Sequence, residues 1–156
     1  MTDLNQLIIN FDYEQNFKDD DFYVSSSNNH IFTLLNQWPK WEKNFLNING
    51  EKFSGKTHLI NIFIKKFKGI KFDAISLKDK DLEIIKVHQN IILENLDDKI
   101  DEKLIYSLLN IIDLDNKFII VTSDKPIVDI NFKLVDLRSR TKNFLLQRIE
   151  KPDDDL

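Results

Sequence analysis

Gly50-Glu51-Lys52-Phe53-Ser54-Gly55-Lys56-Thr57 is the stretch on which the reading of this chain turns. Its spacing is G-x-x-x-x-G-K-T, a P-loop, in which backbone N–H groups cradle phosphate oxygens. The 156 residues contain three glycines, and two of them stand here at the required positions. The apolar run Phe45-Leu46-Asn47-Ile48 comes just before and reads as a short buried strand. Leu59, Ile60, Phe63, Ile64 and Phe67 follow at helical spacing on one face. Strand, glycine loop and helix are the order the chemistry needs. The free N–H groups and positive dipole end of a helix start attract anions. In such a loop Lys56 reaches the β- and γ-phosphates, and the Thr57 hydroxyl is offered to Mg²⁺. Two residues depart from the strongest loops of this kind. Phe53 stands where glycine is usual, although a bulky side chain resists positive φ. Glu51 brings a negative charge near the phosphates.

Composition narrows the function classes. Hydrophobic residues make up 42% and charged residues 31%, a balance that suits one water-soluble globular domain with a sizeable core. The net charge of −4 lacks the broad basic field of a duplex-binding protein. Cysteine is absent, which removes disulfides and cysteine-based metal sites. Residues 1–10 do not read as a secretory leader, and no apolar run approaches the roughly 20 residues of a membrane span. The expected location is the cytoplasm, with no membrane partner.

Taken in order, the chain alternates strands and helices. Near the start, Gln6-Leu7-Ile8-Ile9-Asn10-Phe11 is an apolar peptide with two readings. It is a strand folded onto the domain, or a docking peptide that inserts Ile9 and Phe11 into a partner while Gln6 bonds at the rim. Phe22 and Val24 are core residues or a surface for a bound base. Ser25–Ser27 with Asn28 read as a helix start, Ile31, Leu34, Leu35 and Trp38 as its apolar face, and Pro39 as its stop. After the glycine-loop helix, Ile70–Ile75 alternates as a second strand, and residues 79–87 read as a weak helix or loop. Asn90-Ile91-Ile92-Leu93-Glu94-Asn95 is a third strand ending in an acid. Residues 100–112 form a helix, Phe118–Val121 a fourth strand, 133–140 a short helix, and Phe144-Leu145-Leu146 a fifth strand. Continuous apolar strands separated by helices predict an α/β fold with a five-stranded parallel sheet covered on both faces, the three-layer P-loop NTPase architecture.

The strand ends carry the remaining candidate chemistry. Glu94 sits where P-loop proteins place an acid that holds Mg²⁺ through water. Asn95 follows it and cannot act as a base. Asp97 and Asp98, one turn later, read as substitutes for that acid or, more readily, as caps of the next helix. Thr122-Ser123-Asp124 ends the fourth strand and is expected to face the γ-phosphate region or to form a turn before Pro126. Arg138 and Arg140 read either as forks for phosphate charge on a neighbouring molecule or as salt-bridged surface residues. His30, His58 and His88 lack metal-ligand spacing.

Taken together, Gly55-Lys56-Thr57-His58-Leu59, Thr122-Ser123-Asp124-Lys125-Pro126 and Asp136-Leu137-Arg138-Ser139-Arg140 resemble the DnaA-type branch of the AAA+ ATPases. The likeness runs from about residue 20 to the end of the chain. Within that branch the chain is similar to Hda-type regulators. The leading peptide, Asp21-Phe22-Tyr23-Val24 ahead of Trp38-Pro39-Lys40-Trp41, and the degenerate nucleotide site carry that similarity. The resemblance implies a flexible N-terminal segment over 1–18 with a sliding-clamp-binding peptide (Gln6, Leu7, Ile9, Phe11). It implies an AAA+ domain over 19–156 that stops before the family's helical lid. ADP or ATP with Mg²⁺ is the implied ligand. Gly50, Ser54, Gly55, Lys56, Thr57 and His58 would surround it, with Phe22 and Val24 against the base and Thr57 and Glu94 at the metal. Asp124 falls near the first sensor and Arg140 at the arginine finger, acting in trans. The implied partners are the sliding clamp and the replication initiator, with DNA engaged only indirectly and self-association left open. The implied role is to promote ATP hydrolysis by the initiator. Asn95 and Phe53 imply weak or absent hydrolysis by the chain itself.

Overall fold

A computed structural model of the protein describes residues 28–150. The described elements are α1 (Asn29–Asn36), β1 (Phe45–Asn49), α2 (Lys56–Phe67), β2 (Ile70–Asp73), α3 (Asp81–Lys86), β3 (Asn90–Glu94), α4 (Glu102–Leu114), β4 (Phe118–Ser123), α5 (Val135–Thr141) and β5 (Leu145–Arg148). Short 3₁₀ turns lie at Ala74–Ser76 and Ile127–Asp129. The five strands form one all-parallel sheet in the order β2-β3-β4-β1-β5. This is the predicted five-stranded α/β sandwich.

Strand alternation divides the core into two layers. Phe45, Ile91, Leu93, Ile119 and Val121 face Ile85 of α3, Leu104, Ile105, Leu108, Leu109 and Ile112 of α4, and Leu137 of α5. Leu46, Ile48, Ile92 and Ile120 face the other way, onto Ile31 and Leu35 of α1 and Leu59, Ile60 and Phe63 of α2. Each of these buried aliphatic side chains contributes roughly 1.5–3 kcal/mol by leaving water. A sheet buried on both faces explains why the central strands read as unbroken apolar runs.

Several boundaries move for physical reasons. Helix α1 ends at Asn36, so Trp38 stands in the turn rather than on the helix, yet it still packs its ring on Phe67 and Phe118 at 5.2 and 5.5 Å. Asn28 holds the N-cap position without capping. Its carboxamide instead donates to the Glu150 carbonyl at 3.1 Å and accepts from the Glu150 N–H at 3.0 Å, tying α1 to the residue beyond β5. Strand β2 stops at Asp73, whose carboxylate accepts from the Ile75 N–H at 3.1 Å and bends the chain into a 3₁₀ turn. The cap of α4 is Asp101, through the Leu104 N–H at 3.2 Å, and not Asp97 or Asp98. Asp97 closes its own turn on the Lys99 N–H at 2.8 Å. Residues 81–86 are a helix, and buried Lys117 donates to the carbonyl of its last residue, Lys86, at 2.9 Å and to that of His88, just beyond it, at 2.7 Å.

Candidate functional site

The glycine loop joins β1 to α2 at the carboxyl edge of the sheet, where open α/β sheets place ligands. Its first glycine is demanded by packing. A Cβ on Gly50 would stand 2.5 Å from Ile149 Cγ2 and 2.6 Å from the Ile149 carbonyl oxygen. The Gly50 N–H donates to the Ser123 carbonyl at 3.1 Å, so β1 is stitched to β4 as the loop begins. Gly55 caps α2 with φ of 105°, a left-handed backbone that glycine adopts without steric cost. Phe53 also has positive φ, 64°, and its side chain is 96% exposed. The strain expected from the sequence is therefore present, and the ring points into solvent instead of filling the loop. A left-handed non-glycine residue costs roughly 1–2 kcal/mol.

Lys56 folds its buried side chain back across the loop. Its ammonium donates to the carbonyl oxygens of Gly50 and, at 2.9 Å, Glu51, and lies 3.5 Å from Asp124 Oδ1. An ammonium has three protons, so this seat leaves it at the centre of the loop with a carboxylate on its outward side. Ser54 Oγ is buried and lacks a hydrogen-bond partner, a polar atom inside the loop ready for an oxyanion or water. Lys52, Phe53, Gly55, Lys56 and Thr57 of the loop line a cleft of about 900 Å³ with His58, Asn95, Leu96, Asp97, Asp98, Asp124, Lys125 and Ile130. That is large enough for a nucleotide-sized ligand.

β2 and β3 bring charged groups up to Thr57 and Asn95 of the cleft wall. Thr57 Oγ1 donates to Glu94 Oε2 at 3.1 Å, and Lys71 Nζ stands 3.6 Å from Glu94 Oε1. Asn95, with φ of 64°, donates its carboxamide to Asp73 Oδ2 at 3.0 Å and its N–H to Thr122 Oγ1 at 3.0 Å. Of Thr122 and Ser123, which end β4, and Asp124 just beyond it, only Asp124 opens onto the cleft. Thr122 and Ser123 are buried, with Ser123 donating to the Lys125 carbonyl at 2.7 Å and accepting from Asn47 at 2.9 Å. Asn47, buried on β1, also accepts from the Ile127 N–H at 2.9 Å, fixing the turn that follows Asp124.

The structure thus brings together Gly50, Ser54, Gly55, Lys56, Thr57, His58, Glu94 and Asp124. Arg140 is not among the cleft-lining residues. Its guanidinium donates to Asn110 and, at 3.2 Å, to Asp113 on α4, and lies 5.8 Å over the Tyr106 ring. Arg138 donates to the Phe132 carbonyl at 2.8 Å. Gln6, Leu7, Ile9, Phe11, Phe22 and Val24 lie outside the described residues. Lys71 and Asp73, which contact Glu94 and Asn95, were not expected from the sequence. Their signal was the polar alternation of β2, Ile-Lys-Phe-Asp, but the partners depend on the register that pairs Asp73 with Glu94. Among the described residues no helix is long and apolar enough to cross a membrane.

No known protein-family model matches this sequence, and no curated protein is significantly similar to it. Solved structures share its fold. The AMPPCP-bound DnaA of Aquifex aeolicus aligns with a TM-score of 0.71 at 19% identity, over 84% of this chain and 49% of that one. Domain III of the replication initiation protein DnaA of Thermotoga maritima aligns at 0.66 and 17% identity, over 87% of this chain and 68% of that one. DnaI aligns at 0.60 and 13% identity, over 83% and 84%. The chain spans about half the length of the Aquifex DnaA it matches. Sheet order, glycine loop and these likenesses agree that the fold is that of a DnaA-like AAA+ P-loop NTPase.

Proposed function

We propose that this chain is a nucleotide-binding regulator of chromosomal replication initiation, of the Hda type. The observation that carries the proposal is a DnaA-like fold whose glycine loop sets Lys56 and Thr57 on the wall of a nucleotide-sized cleft, with the unpartnered Ser54 hydroxyl buried within the loop. ADP or ATP is the proposed ligand. The neighbouring DnaA structure holds a nucleotide analogue, AMPPCP, which supports that choice. Gly50, Ser54, Gly55, Lys56, Thr57 and His58 would hold the phosphates, and Phe22 and Val24 the base. The Thr57 hydroxyl and the Glu94 carboxylate, 3.1 Å apart, have the chemistry to hold a hydrated Mg²⁺. A bound Mg²⁺ would neutralise phosphate charge. Asp124, beside Lys56, is proposed as the residue that senses the terminal phosphate.

Asn95 bears on the reaction. Its carboxamide accepts no proton at neutral pH, so intrinsic hydrolysis is expected to be slow. The proposed action is on a partner. The leading peptide Gln6, Leu7, Ile9 and Phe11 would dock on the sliding clamp, and Arg140 would be offered in trans to the initiator's nucleotide. Such an arginine contributes on the order of 10³-fold or more in rate. DNA would be reached through the clamp, which would place the protein at the nucleoid. Nucleotide titration of the purified chain, with and without clamp, tests the reading. Binding of ADP or ATP, and clamp pull-down that is lost in Gln6→Ala/Phe11→Ala, are the expected results. Absence of nucleotide binding would leave a scaffold with an inactive site.

The likeness to DnaI favours a second reading, an autonomous P-loop ATPase that loads another replication factor. Appreciable turnover by the isolated chain, lost in Lys56→Ala, would select it.

A further inference from the structure

Both oxygens of Glu94 are engaged from within the chain. Thr57 donates to Oε2, and Lys71 brings its ammonium to Oε1 at 3.6 Å. The Glu94 side chain is 12% exposed and that of Lys71 37%, so the pair is sheltered on the carboxylate side and open to solvent on the ammonium side. Lys71 is itself held in place. It extends from β2 on the face that looks toward α2, where its Nζ also donates to Asn61 Oδ1 at 3.1 Å. Two anchors, a carboxylate and a carboxamide on different elements, fix where the ammonium sits. A hydrated cation approaching Glu94 would meet a positive charge already in place. Beside it, Asp73 is turned to Asn95 at 3.0 Å rather than left to pair with Lys71 or with an incoming ion.

We propose that Lys71 is a built-in cation at the Glu94 carboxylate and makes nucleotide binding by this chain largely independent of Mg²⁺. This rests on the nucleotide-binding reading above. The ammonium neutralises Glu94, whose charge would otherwise repel the phosphates, and so takes over part of what the divalent ion does there. Mg²⁺ and Lys71 then compete for one carboxylate. Removing the lysine frees Glu94 for the ion and leaves the nucleotide facing an uncompensated negative charge when the ion is withheld.

The test is ADP titration of the full chain and of Lys71→Gln, each with Mg²⁺ and with EDTA. Thermal unfolding shows that the variant is folded. Affinity of the unaltered chain should change little between the two conditions. Lys71→Gln should bind ADP more weakly in EDTA and recover with Mg²⁺, widening the Mg²⁺ effect by about two- to fivefold. A double variant, Lys71→Gln/Glu94→Gln, should lose that widened effect because the carboxylate in contention is gone. An equal Mg²⁺ effect in the unaltered chain and in Lys71→Gln overturns the role of Lys71 while leaving nucleotide binding intact. Lack of ADP binding by the unaltered chain in both conditions overturns the nucleotide reading, and this proposal with it.

Discussion

The two sides of the site treat their polar groups differently. On the loop side one group is left open: Ser54 Oγ is buried without a partner, whereas Lys56 is seated on the Gly50 and Glu51 carbonyls and 3.5 Å from exposed Asp124. On the β2–β3 side, the groups proposed for the metal and water positions have partners within the chain. Glu94 is held by Thr57 and Lys71, and Asn95 by Asp73 and Thr122.

The largest expected effect breaks the loop half. Lys56→Ala should weaken ADP binding by about 10- to 100-fold, the loss of a charged hydrogen-bonding group, measured by calorimetry. Gly50→Ala attacks the same half through packing. Its new methyl would meet the Ile149 carbonyl, a backbone atom with no easy retreat. Urea unfolding should register about 1–3 kcal/mol of lost stability. The closed half is sharpened by Asn95→Asp. Restoring the acid there sets a carboxylate against Asp73, 3.0 Å from the present amide nitrogen. The variant should lose about 0.5–1 kcal/mol, partly regained in high salt, and should gain no measurable turnover. The smallest effect is Phe53→Gly, which relieves a left-handed residue whose side chain is exposed. Stability should rise by about 0.5 kcal/mol in the same unfolding assay, strain relief partly offset by glycine's larger unfolded-state entropy.

The sequence made one half of the cleft legible and hid the other. Gly50, Gly55, Lys56 and Thr57 are contiguous, so their spacing alone places them on a strand–loop–helix turn. The sandwich is equally readable, because β1, β3 and β4 are buried on both faces and leave apolar runs, unbroken in β3 and β4 over Ile91–Leu93 and Phe118–Val121 and interrupted in β1 by Asn47. Lys71 with Glu94 and Asp73 with Asn95 are more than 20 residues apart and meet only through the pairing of β2 with β3. Arg140 is a similar case. Asn110 and Asp113 reach it because α4 and α5 pack side by side, which local pattern does not encode. That Asp101, and not Asp97 or Asp98, caps α4 has a simpler reason. Three acids precede the apolar periodicity of α4, and only backbone geometry selects the one that caps it.

The central claim is that the Gly50–Thr57 loop binds nucleotide phosphates, and calorimetric titration of ADP into the full chain alongside Lys56→Ala tests it most directly. The account predicts saturable one-to-one binding by the unaltered chain that is severely weakened by the substitution. Equal heats for both proteins, or no binding by either, would contradict it.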